Sequence, residues 1–399
     1  MTTDSGRDPA TALIHHAYQP PAGFAAMQPA IHKASTVIFP NVAALRARNW
    51  KEKSGYTYGL HGTPTTFTLE ERIATLEGGL QSLLLPSGLA AIALVDLALL
   101  EGGDELLIPD NAYGPGKELA RNELARFGIT HRFYDAMDAG SLAQAIGPRT
   151  KLVWLEAPGS VTMEFPDLAA LVRVARERGV TTALDNTWGA GIAFNAFGLP
   201  GGAAVDISMQ ALTKYPSGGG DVLMGSVTTR DEALHLKLRF AHMRLGFGIG
   251  ANDAETLLRA LPTLALRYAA QDRAARTLAE WLSQRGEIAR VLHPAIPGAP
   301  GFAHWQATCR AAAGLFSVVF DARYTGEQVD AFVDALRLFK ICYSWAGPLS
   351  LVVPYRVQEM RSQPTPYAGI VVRFSIGFEA VEDLIADLRQ ALERALLAA

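Results

Sequence analysis

Asp206-Ile-Ser-Met-Gln-Ala-Leu-Thr-Lys-Tyr-Pro-Ser-Gly-Gly-Gly-Asp221 begins as an apolar strand, reaches a lysine, and passes through a glycine-rich turn into a second apolar run, Val222–Thr228. A lysine at the end of a buried strand loses hydration there. That lowers its pKa and leaves the amine available as a nucleophile toward a carbonyl. The plain alternative is a lysine that snorkels to solvent, and this stretch alone does not separate the two.

Working outward, short apolar runs alternate with helical stretches from about residue 80 to residue 230, which is the signature of a parallel sheet. The runs Ser82–Leu85, Glu105–Pro109, His131–Tyr134, Lys151–Glu156, Thr181–Asp185, Asp206–Gln210 and Val222–Thr228 read as strands. Their near-continuous apolarity fits a sheet covered on both faces. Gly114–Phe127 and Asp167–Arg178 read as helices, the second opened by Pro166 and closed by Gly179. Glu255–Trp281 reads as one long helix leading away from this unit. Beyond it, Gly314–Asp321 and Ile370–Ile376 read as strands, and Glu327–Leu336 and Val381–Leu396 as helices. The fold class is therefore α/β, a mostly parallel seven-stranded sheet with a smaller C-terminal α+β domain. The expected division is an N-terminal arm over 1–60, a large domain over 61–255 and a small domain over 256–399. The arm, with Pro20, Pro21, Pro29 and Pro40, is expected to have little core of its own and to pack on a partner surface.

The composition narrows the function classes. A chain of 399 residues exceeds one hydrophobic core, and 49% hydrophobic content with 19% charge describes an ordinary globular protein. Thirty-six basic against thirty-nine acidic residues, without a block of one sign, argue against nucleic acid. Cys309 and Cys342 lie apart and suggest no disulfide framework. The polar start Met1–Pro9, with Asp4 and Asp8, does not read as a secretion signal, so a cytoplasmic location is expected. Leu83–Leu100 is apolar, but Pro86, Ser87, Gly88 and Asp96 interrupt it, so no membrane span is expected. His15, His16 and His61 have no ligand spacing for a metal, and Gly246-Phe-Gly-Ile-Gly250 lacks a full dinucleotide fingerprint.

Two further places carry chemistry. Asp185-Asn-Thr-Trp-Gly189 sets a carboxylate at a strand's C-terminal end, where open α/β sheets bind ligands, and a carboxylate there suits a pyridine nitrogen; a turn or helix cap is the alternative. Leu85-Pro-Ser-Gly-Leu-Ala-Ala91 joins a strand to an apolar helix through small residues. The free amides of Gly88 and Leu89 suit a phosphate there, although a close-packed junction uses the same residues. Arg373, read by itself, is a strand-surface arginine.

Taken in order, these motifs resemble the Cys/Met-metabolism family of pyridoxal-phosphate enzymes, of the aspartate-aminotransferase fold type I. The resemblance runs from Lys33-Ala-Ser-Thr-Val-Ile-Phe-Pro40 to Arg373-Phe-Ser-Ile-Gly-Phe-Glu379. Glu156-Ala-Pro-Gly-Ser-Val-Thr-Met-Glu164, Asp185-Asn-Thr-Trp188 and Tyr343-Ser-Trp-Ala-Gly347 are most similar to the bacterial cystathionine β-lyase branch, and relatives acting at the γ-carbon typically carry Phe where this chain has Trp188. The resemblance implies pyridoxal 5'-phosphate as cofactor and Lys214 as its Schiff-base lysine. It puts Asp185 on the pyridine nitrogen, Tyr113 on the ring, and Gly88, Leu89 and Thr213 on the phosphate, with Tyr58 reaching a neighbouring subunit's phosphate. Arg373, Ser344 and Trp345 are implied at the substrate. The implied reaction is β-elimination of cystathionine to homocysteine, pyruvate and ammonia by a homotetramer. A γ-lyase or γ-replacement enzyme, or a cofactor-binding regulatory protein, are the other readings. Two departures stand out. Leu60 occupies the place of the family's usual arginine, which leaves His61 as a partial substitute clamp, and Gly218-Gly-Gly220 replaces the usual Gly-His-Ser.

Overall fold

The computed structural model describes residues 8–15, 22–24, 26–50, 53 and 55–397. Asp4, His16, Pro20 and Pro21 lie outside the described residues. Seven strands, β1 (Gln81–Leu85), β2 (Glu105–Pro109), β3 (Thr130–Tyr134), β4 (Thr150–Glu156), β5 (Thr181–Asp185), β6 (Ile207–Gln210) and β7 (Gly225–Thr229), form one sheet in the order β1-β7-β6-β5-β4-β2-β3. The neighbours among β2 to β6 pair parallel, whereas β7 runs antiparallel to both β6 and β1. The exception has a physical cause. A parallel return needs a crossover, usually a helix, and the connection 211–224 is a compact turn that contains none.

Alternate strand residues enter different cores. Leu107, Val153, Leu155 and Leu184 join one cluster; Leu106, Ile108, Leu152, Trp154 and Ala183 join another, so the sheet is buried on both faces. The arm is less independent than its prolines imply. Asp8 caps a short helix, Pro9–Ile14, and Leu13, 2% exposed, sits in the same core as Leu69 and Ile73. Further along, Met27 and Ile38 remain almost fully exposed.

The chain leaves the sheet through Ala251–Ala260 and Leu264–Ser283, which are separate helices rather than the single one expected. Pro262 has no amide hydrogen to donate, and the segment Leu261–Thr263 tightens to a 3-10 turn. A second sheet follows, built from β8 (Ile288–Leu292), β9 (Leu315–Phe320), β10 (Lys340–Ile341), β11 (Leu351–Tyr355) and β12 (Val371–Ser375), in the order β10-β11-β12-β9-β8. Phe316, Phe320, Phe332 and Phe374 fill the core beneath it. Among the described residues no helix is long and apolar enough to cross a membrane.

Candidate active site

The parallel strands deliver their C-terminal ends to one edge of the large sheet. Asp185 ends β5, Glu156 ends β4, and the two residues are register partners. Lys214 lies in the turn after β6, held by its own amide to Ala211 O at 3.0 Å and by Gly218 N donating to Lys214 O at 2.9 Å. Thr187 Oγ1 accepts from Ala211 N at 2.9 Å, tying the Asp185 segment to the lysine turn. The first glycine after the lysine is constrained by its backbone. Gly218 has φ +66°, and a Cβ there would lie 2.0 Å from the Arg267 guanidinium, which itself donates to Tyr215 O at 2.7 Å and braces the turn.

The small sheet supplies the opposite wall. Lys214 Nζ donates to Ser344 Oγ at 2.9 Å and lies 5.5 Å from the Trp345 ring centroid. Arg373, on β12, donates through Nη2 to Tyr343 O at 2.7 Å and Ser344 O at 3.3 Å, so it fixes the segment that touches the lysine. Burial, and then the Arg373 charge, bring the Lys214 pKa down to about 8. On the other side the Tyr113 amide donates to Glu156 Oε2 at 2.7 Å, and burial beside Asp185 and Glu156 holds the Tyr113 phenol in its protonated form. Burial also pushes the carboxyls of Asp185 and Glu156 upward; Thr187 and Lys214 draw Asp185 back down, the Thr187 amide at 3.0 Å from Oδ1. A small recess of about 20 Å³ is lined by Tyr113, Glu156, Asp185, Trp154 and Asp96.

Lys214, Asp185, Tyr113, Arg373, Ser344 and Trp345 thus form one cluster. Three further residues make contacts of their own. Trp188, 5% exposed, packs edge-on against Phe165 at 6.2 Å in the core and its carbonyl accepts from Tyr268. Thr213 Oγ1 donates to Met224 O at 3.2 Å, and would have to release that bond to donate to a phosphate. Tyr58 is half-exposed and packs on His61 within its own chain, 5.9 Å between ring centroids. Glu156 and Tyr355 join the cluster as well; Glu156 carries the same sequence signal as Asp185, a carboxylate at a parallel strand's end.

The donor set fits pyridoxal phosphate. Asp185 is a buried carboxyl that makes no ion pair among the described residues, which suits a protonated ring nitrogen. The Lys214 amine deprotonates close to neutrality. Ser87 caps the helix Gly88–Leu99 through Ala90 N, while the amides of Gly88 and Leu89 belong to the first turn, where no intrahelical acceptor exists. A Cβ on Gly88 would meet Ala211 Cβ at 2.6 Å, so this helix end abuts the lysine turn closely.

The profile of the Cys/Met metabolism PLP-dependent enzymes matches residues 10–393. The chain belongs to that family. It is 38% identical to the cystathionine beta-lyase of Bordetella avium, covering 95% of each chain. It is 33% identical to an L-alanine/L-glutamate racemase of Wolbachia pipientis wMel, covering 92% of this chain and 93% of that one. A solved structure, cystathionine gamma synthase from Xanthomonas oryzae pv. oryzae in complex with aminoacrylate and cysteine, superposes with a TM-score of 0.88 at 29% identity, covering 98% and 100% of the respective chains. The protein is thus a pyridoxal-phosphate-dependent, cystathionine β-lyase-like enzyme.

For such an enzyme the lysine pKa sets how quickly cofactor attaches. Only the neutral amine attacks a carbonyl, so the attachment rate of the cofactor-free protein rises roughly tenfold per pH unit below the lysine pKa and levels off near pH 8. Stopped-flow absorbance at a series of pH values measures it. A rate that keeps climbing to about pH 10 would belong to an ordinary solvated lysine.

Leu60 stands where the family resemblance implies a cationic clamp on the phosphate. Burial, Arg239 and Arg48 depress the His61 pKa, and its ring nitrogen is engaged with Thr57 Oγ1 at 2.7 Å, so His61 does not replace the missing cation at neutral pH. Leu60→Arg is expected to tighten cofactor binding about tenfold, because a guanidinium pairs bidentately with phosphate. Equilibrium dialysis reads this, and an unchanged Kd would mean that the local amides already suffice.

Proposed function

We propose that this enzyme cleaves the carbon–sulfur bond of a sulfur amino acid such as cystathionine by β-elimination, yielding homocysteine, pyruvate and ammonia. The observation that carries the proposal is the Lys214 amine, depressed to about 8 and held on Ser344 between Arg373 and Asp185. Pyridoxal phosphate, when bound, supplies an electron sink for the substrate's α-carbon. Asp185 would keep a proton on the ring nitrogen. Gly88, Leu89 and Thr213 would hold the phosphate, with Tyr58 of a neighbouring subunit, and Tyr113 would cover the ring. Arg373 grips the substrate carboxylate with its planar fork.

The free Lys214 amine would take the α-proton, a task for which a pKa near the working pH is suited. Ser344 aims it, since the hydroxyl lies 2.9 Å from Nζ. Tyr113 keeps its proton and is placed to donate to the departing thiolate, as Lys214 is after accepting one. Trp345 and Tyr343 would wall the thioether side and restrict how the departing sulfur is presented. A homotetramer, in which the exposed arm residues Met27 and Ile38 find a partner surface, is part of the same reading.

The likeness to a γ-synthase structure favours one alternative, chemistry at the γ-carbon with the same residues. The racemase relative points to another, in which the α-proton returns from the opposite face. Incubation with cystathionine and identification of the keto acid and thiol separates all three, because racemisation releases neither.

A further inference from the structure

We propose that Tyr355 determines specificity for a free carboxylate: its phenol donates a second hydrogen bond to the substrate carboxylate that Arg373 grips. This rests on the reading of Arg373 as the carboxylate clamp.

The sheet register places the two side chains together. Val353 on β11 is the partner of Arg373 on β12, and Tyr355 lies two residues further along β11, so it stands on the same face, diagonal to the arginine. The Arg373 guanidinium carbon lies 5.4 Å from the Tyr355 ring centroid, so the phenol sits against the guanidinium. Tyr343 closes the other side at 6.4 Å between ring centroids. Tyr113 also feels the Tyr355 phenol, so the side chain faces the cluster and not bulk solvent.

Hydrogen-bond valence supplies the direction. Arginine has donors only, so the phenol oxygen can accept from Arg373 while its own proton cannot be spent there. Among the described residues no group accepts that proton. Arg373 Nη2 is committed to the carbonyls of Tyr343 and Ser344, which leaves its remaining N–H groups for a ligand. A carboxylate on those groups falls beside the unspent phenol proton. Burial raises the phenol pKa, so it remains a donor at neutral pH. A position that served packing alone would need the ring and not the hydroxyl.

Tyr355→Phe keeps the ring and removes the donor. The probes are L-alanine, which has no β-leaving group, and its α-amide, titrated calorimetrically into the holoenzyme. The expected result is about tenfold weaker binding of L-alanine, with the amide changed less than about twofold, the loss appropriate to one hydrogen bond to a charged group. With a turned-over amino acid the loss falls on KM more than on kcat. Equal weakening of acid and amide, or an L-alanine affinity within about twofold of the wild type, overturns the proposal. A lowered Tm reports structural damage separately, and Tyr355→Leu, which removes ring and hydroxyl together, should then weaken the acid no less than Tyr355→Phe. The alanine titration does not depend on which bond the enzyme breaks, so it stands whether or not β-elimination is its reaction.

Discussion

Lys214→Ala is expected to lower turnover of cystathionine by about a thousandfold or more and to abolish the reducible lysine–cofactor adduct together with its visible absorbance. The lysine is asked to do two things, to hold the cofactor covalently and to carry the α-proton, and among the described residues no second amine serves the cluster. Lys117, also buried, donates to Asp110 O and Met360 O at 2.7 and 2.6 Å and is fully engaged there. Alanine leaves Ser344 without its partner but disturbs little else, because the turn is held by Gly218, Thr187 and Arg267 through the backbone. Borohydride reduction followed by peptide mapping reads the adduct. A variant that still yields a reduced lysine adduct would place the attachment on another residue.

The second large effect belongs to Arg373. Arg373→Ala is expected to raise KM about a hundredfold, since truncating one partner of a buried charge pair typically costs a few kcal/mol. Arg373 is 8% exposed, so the substrate carboxylate meets it in a poorly solvated place. The variant should also alter the pH profile. Arg373 is the second cause, after burial, of the low Lys214 pKa, and removing its positive charge lets that pKa rise. The neutral amine then appears only at higher pH, so the acid limb of kcat moves alkaline. Arg373→Lys keeps the charge and should leave that limb nearly in place while still raising KM, because an ammonium lacks the bidentate fork. Steady-state kinetics from pH 6 to pH 10 distinguishes the effects; an acid limb that does not move in Arg373→Ala would remove the electrostatic link between these residues.

Much of the large sheet was legible because its strands are buried on both faces and therefore continuously apolar. Glu105–Pro109 and Thr181–Asp185 match β2 and β5 residue for residue, and Asp167 and Arg178 turn out to be the caps of the helix Leu168–Glu177. The second sheet was harder. β8, with the pattern Ile288, Ala289, Arg290, Val291, Leu292, mixes exposed and buried positions, and β11 contains Pro354, which argues against a strand. Pro354 is tolerated because β10 pairs only with Leu351 and Val352 and ends before the proline is reached.

The site divided along the same line. Lys214, Asp185 and the Gly88 turn carry local signals, a charge at a strand's end or a small-residue helix start. Arg373 and Tyr355 carry none, since their meaning comes from the pairing of β11 with β12 and from the seating of that sheet on the lysine turn. Trp188 is marked in the sequence only by a motif match, and its neighbours Phe165 and Tyr268 are what place it in the core.

The most direct measurement is the identity of the products when the purified holoenzyme is given L-cystathionine, read by mass spectrometry. The account expects pyruvate and homocysteine in equal amounts, with ammonia. Cysteine with 2-oxobutyrate, or recovery of cystathionine altered only in configuration, would contradict it.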